Sequence, residues 1–252
     1  MSGHSKWHSI KHKKAATDAK RGKIFNKHAK LIETAARQGG GDPDMNPRLR
    51  TAVQAARDDN MPNDKIEKAV AKGSGQIKGV VYEEIMYEAY GPAGVAMIIQ
   101  VLTDNKNRTV GEIRHALQKH GGHLGESGSV AWNFAQKGVI NVPSEGNEED
   151  KVMEVVLEAG AEDLTTEAGD FEVTTDPKNF MQVRDALTSA GISVARSEVT
   201  WIPSTTVELE ENDARKLLRL MEVLDDHDDV QGVSANFDIS DEILERVKEE
   251  EE

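Results

Sequence analysis

The sequence contains no cysteine among its 252 residues, which excludes disulfide bonds, thiolate zinc sites and cysteine nucleophiles. Long apolar runs are also missing, and no stretch approaches the roughly 18 residues that a membrane-spanning helix requires. The N-terminus is basic but is not followed by an apolar segment, so it does not have the pattern of a secretory signal. We therefore expect a cytoplasmic protein that has no membrane partner.

The sequence also lacks the short motifs of common enzymes. It contains no GxxxxGK[ST], GxSxG or HExxH, and no segment pairs a nucleophile with a base. His115, His120 and His123 are spaced so that they do not share one helix face, which does not suit a metal site. The acidic segment 224–232 lacks the ligand spacing of a calcium loop and is predicted to be a solvated turn. We predict no catalytic residue, no metal, no cofactor and no enzyme activity.

What the sequence does have is an uneven distribution of charge. The whole chain carries a net charge of −14, yet residues 1–79 contain 17 Lys and Arg against 8 Asp and Glu. This N-terminal part is therefore at +9, and residues 80–252 are at −23. A basic surface attracts polyanions and an acidic one repels them. The asymmetry predicts that nucleic acid, if bound, is bound by the N-terminal part.

The opening run is dense in lysine and contains one tryptophan, so it offers phosphate contacts together with a ring that can stack on a base. Four of its lysines are three or four residues apart and line one stripe of a helix next to its apolar face, where we do not expect them to be buried. A solvated charged face is the alternative. The predicted nucleic-acid-binding residues are Lys6, Trp7, Lys11, Lys13, Lys14, Lys20, Arg21, Lys23, Lys27, Lys30 and Arg108.

Arg108 lies apart from this run, in the segment "TDNKNRT" at 103–109. The polar residues of that segment are typical of a turn and a helix N-cap. The arginine is a candidate for a second anion contact. Both interpretations are compatible with the sequence.

The patterns of apolar residues predict an α+β protein. Residues 1–79 contain three helices, the second capped by Asn46 and the third by Asn63, followed by a glycine-rich linker. Strands and amphipathic helices then alternate, as in split βαβ units with helices on one face of an antiparallel sheet. "GSVAWNF" is predicted to be a strand, with Trp132 in the core. A later helix is predicted to start on Pro177, and the acidic end "ERVKEEEE" is predicted not to pack.

Several long segments carry a resemblance to a known family. They are "GHSKW", "KAATDAKRGKIFNK", "GGGDPDMNPRLRTAV", "NMPNDKIEKAVAKG", "YEAYGPAGVAMII", "TDNKNRTVGEIRHAL" and "GGHLGESGSVAW". Together they resemble the YebC/PmpR family, which is described as transcriptional regulators and includes mitochondrial translational activators.

The resemblance implies an N-terminal helical domain followed by two α+β domains of the ferredoxin-like, split βαβ type, one inserted in the other. The expected boundaries are 1–79 for the helical domain, 80–137 with 205–240 for the discontinuous acidic domain, 138–204 for the insert and 241–252 for an acidic tail.

The function that the resemblance implies is transcriptional regulation by DNA binding through the basic helical domain. One alternative is a translation factor that contacts ribosomal RNA, with the acidic domains touching ribosomal proteins. Another is an adaptor between proteins. The expected partners are therefore nucleic acid, with ribosomal proteins or the transcription machinery beside it.

Overall fold

A computed structural model describes residues 18–167 and 169–249. The helices are α1 (Asp18–Gly39), α2 (Pro47–Asp58), α3 (Asn63–Gly73), α4 (Lys106–Lys119), α5 (Glu149–Glu158), α6 (Phe180–Ser189), α7 (Glu211–Asp225) and α8 (Asp241–Glu249). The strands are β1 (Glu83–Tyr90), β2 (Ala96–Thr103), β3 (His123–Leu124), β4 (Phe134–Pro143), β5 (Asp163–Glu167), β6 (Asp170–Thr175), β7 (Arg196–Pro203), β8 (Val207–Glu208), β9 (Val230–Ala235) and β10 (Phe237–Asp238).

The three N-terminal helices pack around one small apolar core. Its buried residues come from all three helices and include Phe25 and Ile32 of α1, Leu49 of α2 and Ile66 of α3. Asn46 is the N-cap of α2, as predicted, and its side chain accepts a hydrogen bond from the Leu49 N–H. The same side chain donates to the carbonyls of residues 35 and 40 at the end of α1, so one asparagine fixes the turn between the two helices.

The cap predicted for the third helix is wrong. Asn63 is the first residue of α3, and the capping position belongs to Pro62, which offers no side-chain hydrogen bond. The proline fixes an extended backbone just before the helix and thereby ends the preceding turn.

The first sheet has the strand order β3-β1-β2-β9. β1 and β2 form an antiparallel hairpin, joined by a short 3₁₀ turn at 92–94. The connection from β2 through α4 to β3 is a split βαβ unit, because β1 lies between the two strands and pairs antiparallel with both. One face of the sheet shares a core with α4, α7 and α8.

The second sheet belongs to a compact unit, residues 134–202, and only Pro203 at the end of β7 lies outside it. Its strand order is β5-β6-β4-β7. The chain order strand, helix, strand, strand, helix, strand with this pairing is the ferredoxin-like arrangement. The predicted α+β class, with N-terminal helices followed by antiparallel sheets, is confirmed.

Three local predictions are wrong. "GSVAWNF" is not a strand, since it forms a loop and a 3₁₀ turn at 131–133 before β4 begins. The helix predicted from Pro177 begins at Phe180 after a turn. The described part of the acidic end, up to Glu249, belongs to α8, which buries Leu244 and Val247 in the core of the first sheet, because these residues lie three apart and share one helix face. Within the described residues, no helix is long and apolar enough to cross a bilayer.

Candidate nucleic-acid interface

The predicted binding residues divide into two groups. Lys6, Trp7, Lys11, Lys13 and Lys14 lie outside the described residues. Lys20, Arg21, Lys23, Lys27 and Lys30 lie on α1, and Arg108 lies in the first turn of α4.

Three of the α1 lysines meet an acidic segment from the far end of the sequence. The aspartate loop, residues 225–229, contains four aspartates and one histidine and runs from the last residue of α7 to the residue before β9. The Lys23 ammonium nitrogen lies 3.8 Å from a carboxylate oxygen of Asp226. Lys27 is at the same distance from Asp225. The lysine stripe therefore faces carboxylates of its own chain.

The lysines also bind main-chain carbonyls at the end of α7. Lys23 donates to the Asp226 carbonyl at 3.1 Å, and Lys27 donates to the carbonyl of Asp225. The last carbonyls of a helix have no partner within the helix and carry the negative end of its dipole. The α1 stripe thus supplies cations at the position where the end of α7 favours them.

Asp229 is the centre of the contact. One of its carboxylate oxygens accepts a hydrogen bond from Lys30 at 2.6 Å, and the other accepts one from Arg108 at 2.7 Å. That second oxygen also lies 3.0 Å from the Thr103 hydroxyl and 2.7 Å from the Thr109 hydroxyl. Only 3% of Asp229 is exposed. This carboxylate therefore joins α1, β2 and α4 at one buried point.

The environment of Asp229 keeps it ionised. Burial by itself raises the pKa of a carboxyl group, but hydrogen bonds from Lys30, Thr109 and Arg108 outweigh burial here, and the pKa of Asp229 lies well below its ordinary value. Each of these donors stabilises the charged form. Across the ordinary pH range the aspartate remains a fixed negative charge opposite the lysine stripe.

Arg108 is held by carboxylates on two sides. Its guanidinium lies 3.0 Å from Asp104 and 2.7 Å from Asp229. The turn before it is also confirmed, since the side chain of Asn105 caps α4 by accepting the Arg108 N–H. Arg108 is therefore paired with carboxylates of its own chain, although its side chain remains 44% exposed.

These contacts correct two sequence-based expectations. Lys27 and Lys30 were expected to be solvent-exposed, yet their side chains are only 15% and 16% exposed because the aspartate loop covers them. The loop itself was predicted to be a solvated turn, yet it binds the stripe and buries Asp229. No local pattern indicates this, because the partners are about 200 residues apart in sequence.

The cleft beside the contact is more acidic than basic. Its charged lining consists of Lys23, Lys30 and Arg108 against Asp104, Glu112, Asp226, Asp228 and Asp229. A phosphate entering this cleft meets more negative than positive groups. The cleft as it stands is therefore a poor anion site.

A second polar centre organises the loop of the "GESGSVAW" segment. Glu88 of β1 is 7% exposed, and its carboxylate accepts backbone N–H groups from Gly128, Val130 and Ala131 at 2.6–2.8 Å. Burial acts to raise its pKa, but these three hydrogen bonds bring the pKa below the usual value. An ionised carboxylate thus fixes the loop against the sheet.

The loop ends at a tryptophan that lies on the surface. Trp132 was predicted to be a core residue, but it is 75% exposed. Its indole N–H donates to the Ser129 carbonyl at 2.9 Å, so the ring is fixed while it remains accessible. The prediction failed because the segment forms a turn, and the alternation expected of a strand does not apply.

The three histidines that invited a metal hypothesis lie around α4 and do not form one site. His123 stacks on Tyr90 with ring centroids 5.4 Å apart. Burial, with Lys119 and Arg219 nearby, lowers the pKa of His120. Among the described residues, no group of three or more histidine and carboxylate side chains is arranged to hold a metal ion.

Comparison with known proteins places the chain in a family. Residues 5–76 match the model of the TACO1/YebC protein N-terminal domain. Residues 82–237 match the model of the TACO1/YebC second and third domain. The chain belongs to the TACO1/YebC family.

Other members of the TACO1/YebC family are similar over nearly their whole length. A protein of Desulforapulum autotrophicum is 55% identical over 96% of this chain and 98% of its own. One of Halothermothrix orenii is 51% identical over 99% and 100%. Both are named "Probable transcriptional regulatory protein". The crystal structure of a conserved hypothetical protein from Aquifex aeolicus has a TM-score of 0.84 at 44% identity, covering 93% of this chain and 97% of that one.

Proposed function

We propose that this TACO1/YebC family member is a cytoplasmic, non-enzymatic transcriptional regulator that binds DNA through its basic N-terminal segment and the start of α1. The observation that carries the proposal is the charge of +9 on residues 1–79 in a chain of net charge −14. The names of its relatives point to the same role.

The contacts of α1 define which part of the lysine stripe we assign to this interface. Lys23, Lys27 and Lys30 bind the aspartate loop, whereas Lys20 and Arg21 lie one turn nearer the basic run. The proposed interface therefore consists of the run 6–14 together with Lys20 and Arg21. Its phosphate contacts give affinity without sequence readout.

Replacing Lys20 and Arg21 with alanine tests this interface. Each phosphate contact releases counterions, so we expect the slope of log K against log salt to become shallower by about 0.7–0.9 for each contact removed. Binding should weaken equally for all sequences. Fluorescence anisotropy with labelled duplexes at several salt concentrations measures both effects. Lys151→Ala with Lys178→Ala is the control, because it removes the same charge from exposed positions in the 134–202 unit. An unchanged slope in the Lys20 and Arg21 variant would contradict the proposal.

Trp7 favours a second candidate function, a translation factor that contacts ribosomal RNA. An aromatic ring within a basic run suits unpaired bases, because stacking requires a free base face. Replacing Trp7 with alanine is then expected to weaken binding to single strands and RNA loops by about 1–3 kcal/mol and to leave duplex binding nearly unchanged. Titrating single-stranded and duplex probes with the wild type and with Trp7→Ala decides between the candidates. If the two proteins bind every probe with equal affinity, the second function has no basis.

A further inference from the structure

The contact between α1 and the aspartate loop has two parts that differ in the burial of their aspartates, because the side chain of Asp229 is 5% exposed and those of Asp225 and Asp226 are 15% and 52% exposed. The inner part is Asp229 with Lys30 and Arg108. The outer part is Lys23 with Asp226 and Lys27 with Asp225. All of these residues lie on the stripe of α1, the first turn of α4 or the loop 225–229, so the two parts lie side by side.

The inner part is fixed by the number of its partners. Asp229 has four donors within 3.0 Å, and its own carbonyl accepts the Leu102 N–H of β2 at 2.8 Å. Its N–H donates to the ring of His227, whose other nitrogen is 2.8 Å from Glu112 of α4. Opening this part would separate a buried carboxylate from all four of its donors. We therefore expect the inner part to stay closed in every functional state.

The carboxylates of the outer part lie farther from their lysines than Asp229 does from Lys30 and Arg108, at 3.8 Å against 2.6–2.7 Å. The side chains of Lys23 and Asp226 are 44% and 52% exposed, and their charged atoms are 3.8 Å apart. Exposed ion pairs at such distances contribute little to stability. Lys27 and Asp225 are better covered, at 15% exposure each, but are no closer. Both lysines also donate to main-chain carbonyls of the same two residues, and an ammonium group has further N–H donors beside that one. A competing anion therefore has to replace the two carboxylates and can leave the carbonyl contacts in place.

The outer lysines also continue the proposed interface. Lys20, Lys23 and Lys27 follow one another at intervals of three and four residues on α1, which places them on one helix face. A nucleic acid strand seated on the basic run and on Lys20 has Lys23 as the next cation along that face. The carboxylates of Asp225 and Asp226 occupy the places that its phosphates would take.

We propose that Lys23 and Lys27 form a latent phosphate-binding patch that the aspartate loop occupies until nucleic acid displaces Asp225 and Asp226. This inference rests on the proposed function, because it extends the same interface along α1. The loop is then an internal competitor that weakens non-specific binding. Only a polyanion that is already held by the N-terminal run reaches the patch at a high local concentration.

The exchange has a measurable consequence for salt dependence. When a lysine exchanges its aspartate partner for a phosphate, the cations condensed on that phosphate are released. The aspartate that has lost its lysine then binds cations from solution. The net release from the patch is therefore small in the wild type. Changing Asp225 and Asp226 to asparagine removes that uptake. The slope should then become steeper by about 0.7–0.9 for each lysine that contacts phosphate.

The first experiment compares two variants of equal charge with the wild type. Asp225→Asn with Asp226→Asn keeps the size of both side chains. Removing negative charge there should not destabilise α7, because the C-terminal end of a helix dipole is itself negative. We expect binding of a labelled single-stranded oligonucleotide and of its duplex to strengthen about three- to tenfold at low salt, since two weak competing ion pairs are lost. Glu148→Gln with Glu149→Gln, on the exposed start of α5, removes the same charge and should change binding less than about twofold.

The second experiment follows the ion pairs in the unmodified chain. A carbodiimide joins a lysine and a carboxylate that are in direct contact, and mass spectrometry then quantifies the Lys23–Asp226 and Lys27–Asp225 links. Saturating oligonucleotide should lower their yield by about threefold or more as the open population increases. The Lys137–Glu162 pair, 2.6 Å apart in the 134–202 unit, is the internal control and should keep its yield.

The outcomes separate this inference from the proposed function. In one outcome, the wild type binds the oligonucleotide while both cross-links keep their yield and the Asp225→Asn, Asp226→Asn variant binds no better than its control. That result would show that the outer ion pairs stay closed when nucleic acid binds. It would overturn the inference and leave the proposed function standing. Binding by the loop variant alone would support a patch that is closed in the free protein. If neither protein binds nucleic acid, both the inference and the proposed function fail.

Discussion

Asp229→Ala is expected to lower the free energy of unfolding by about 3–5 kcal/mol, the usual cost of removing one member of a buried ion pair. The substitution leaves the Lys30 ammonium with a main-chain carbonyl of the loop but without its carboxylate partner, and Arg108 keeps only the exposed Asp104 as a carboxylate partner. It also leaves two fully buried hydroxyls, those of Thr103 and Thr109, without the carboxylate that both contact. Urea denaturation followed by circular dichroism measures the change.

The neighbouring residue provides the matched control. Asp228 is an exposed aspartate of the same loop, and Lys30 binds its main-chain carbonyl, which a substitution retains. Asp228→Ala removes the same charge and should change stability by less than about 0.5 kcal/mol. If the two variants were equally stable, the stability would depend on the net charge of the loop, and the buried carboxylate would have no special role.

The effect of Asp229 should also depend on pH. The pKa of Asp229 is lowered in the folded protein, so its contribution is fully present above the unfolded value of about 4 and is lost as pH falls toward the folded value. The difference in stability between the wild type and Asp229→Ala should therefore be constant near neutral pH and should shrink below about pH 4.

Local signals were enough to predict most of the secondary structure. Asn46 before Pro47 and Asn105 before α4 are caps that a short window of sequence contains in full, and a cap acts within one helical turn. The β1–β2 hairpin was predictable for the same reason, since its turn and both strands are contiguous. Apolar spacing predicted three helices in residues 1–79, and among the described residues these are α1, α2 and α3.

The candidate site was predicted only in part, because its geometry depends on contacts between distant segments. A stripe of lysines on α1 could be read from their spacing, but the partner of Lys30 lies 199 residues further along the chain. A loop containing four aspartates has the composition of a solvated turn whether or not it contacts a basic helix. The sequence therefore predicts that the lysines share one stripe of α1 and gives no information on which carboxylates neutralise them.

Glu88 is the second residue whose role depends on tertiary structure. Glu88→Ala is expected to lower the free energy of unfolding by about 3 kcal/mol, because hydrogen bonds to a charged group contribute more to stability than hydrogen bonds between neutral groups. The three N–H groups of Gly128, Val130 and Ala131 would lose their acceptor. Hydrogen exchange at these amides should accelerate, and the loop that positions Trp132 should open before the rest of the sheet.

The glutamine variant separates charge from geometry. In the wild type one carboxylate oxygen accepts from Gly128 and the other accepts from both Val130 and Ala131. In Glu88→Gln the amide oxygen can serve only one of these sides, and the NH₂ group then faces a backbone N–H, since an amide nitrogen accepts no hydrogen bond.

The expected loss for Glu88→Gln is therefore intermediate, about 1–2 kcal/mol, with faster exchange confined to the side that meets the NH₂ group. Glu84→Ala is the control on the same strand, where an exposed carboxylate pairs with Arg48 and should contribute less than about 1 kcal/mol. Equal exchange rates in Glu88→Gln and the wild type would show that backbone contacts alone hold the loop. A uniform acceleration at all three amides would instead show that the charge of Glu88, and not the pairing of each oxygen with its own donors, fixes Trp132 at the surface.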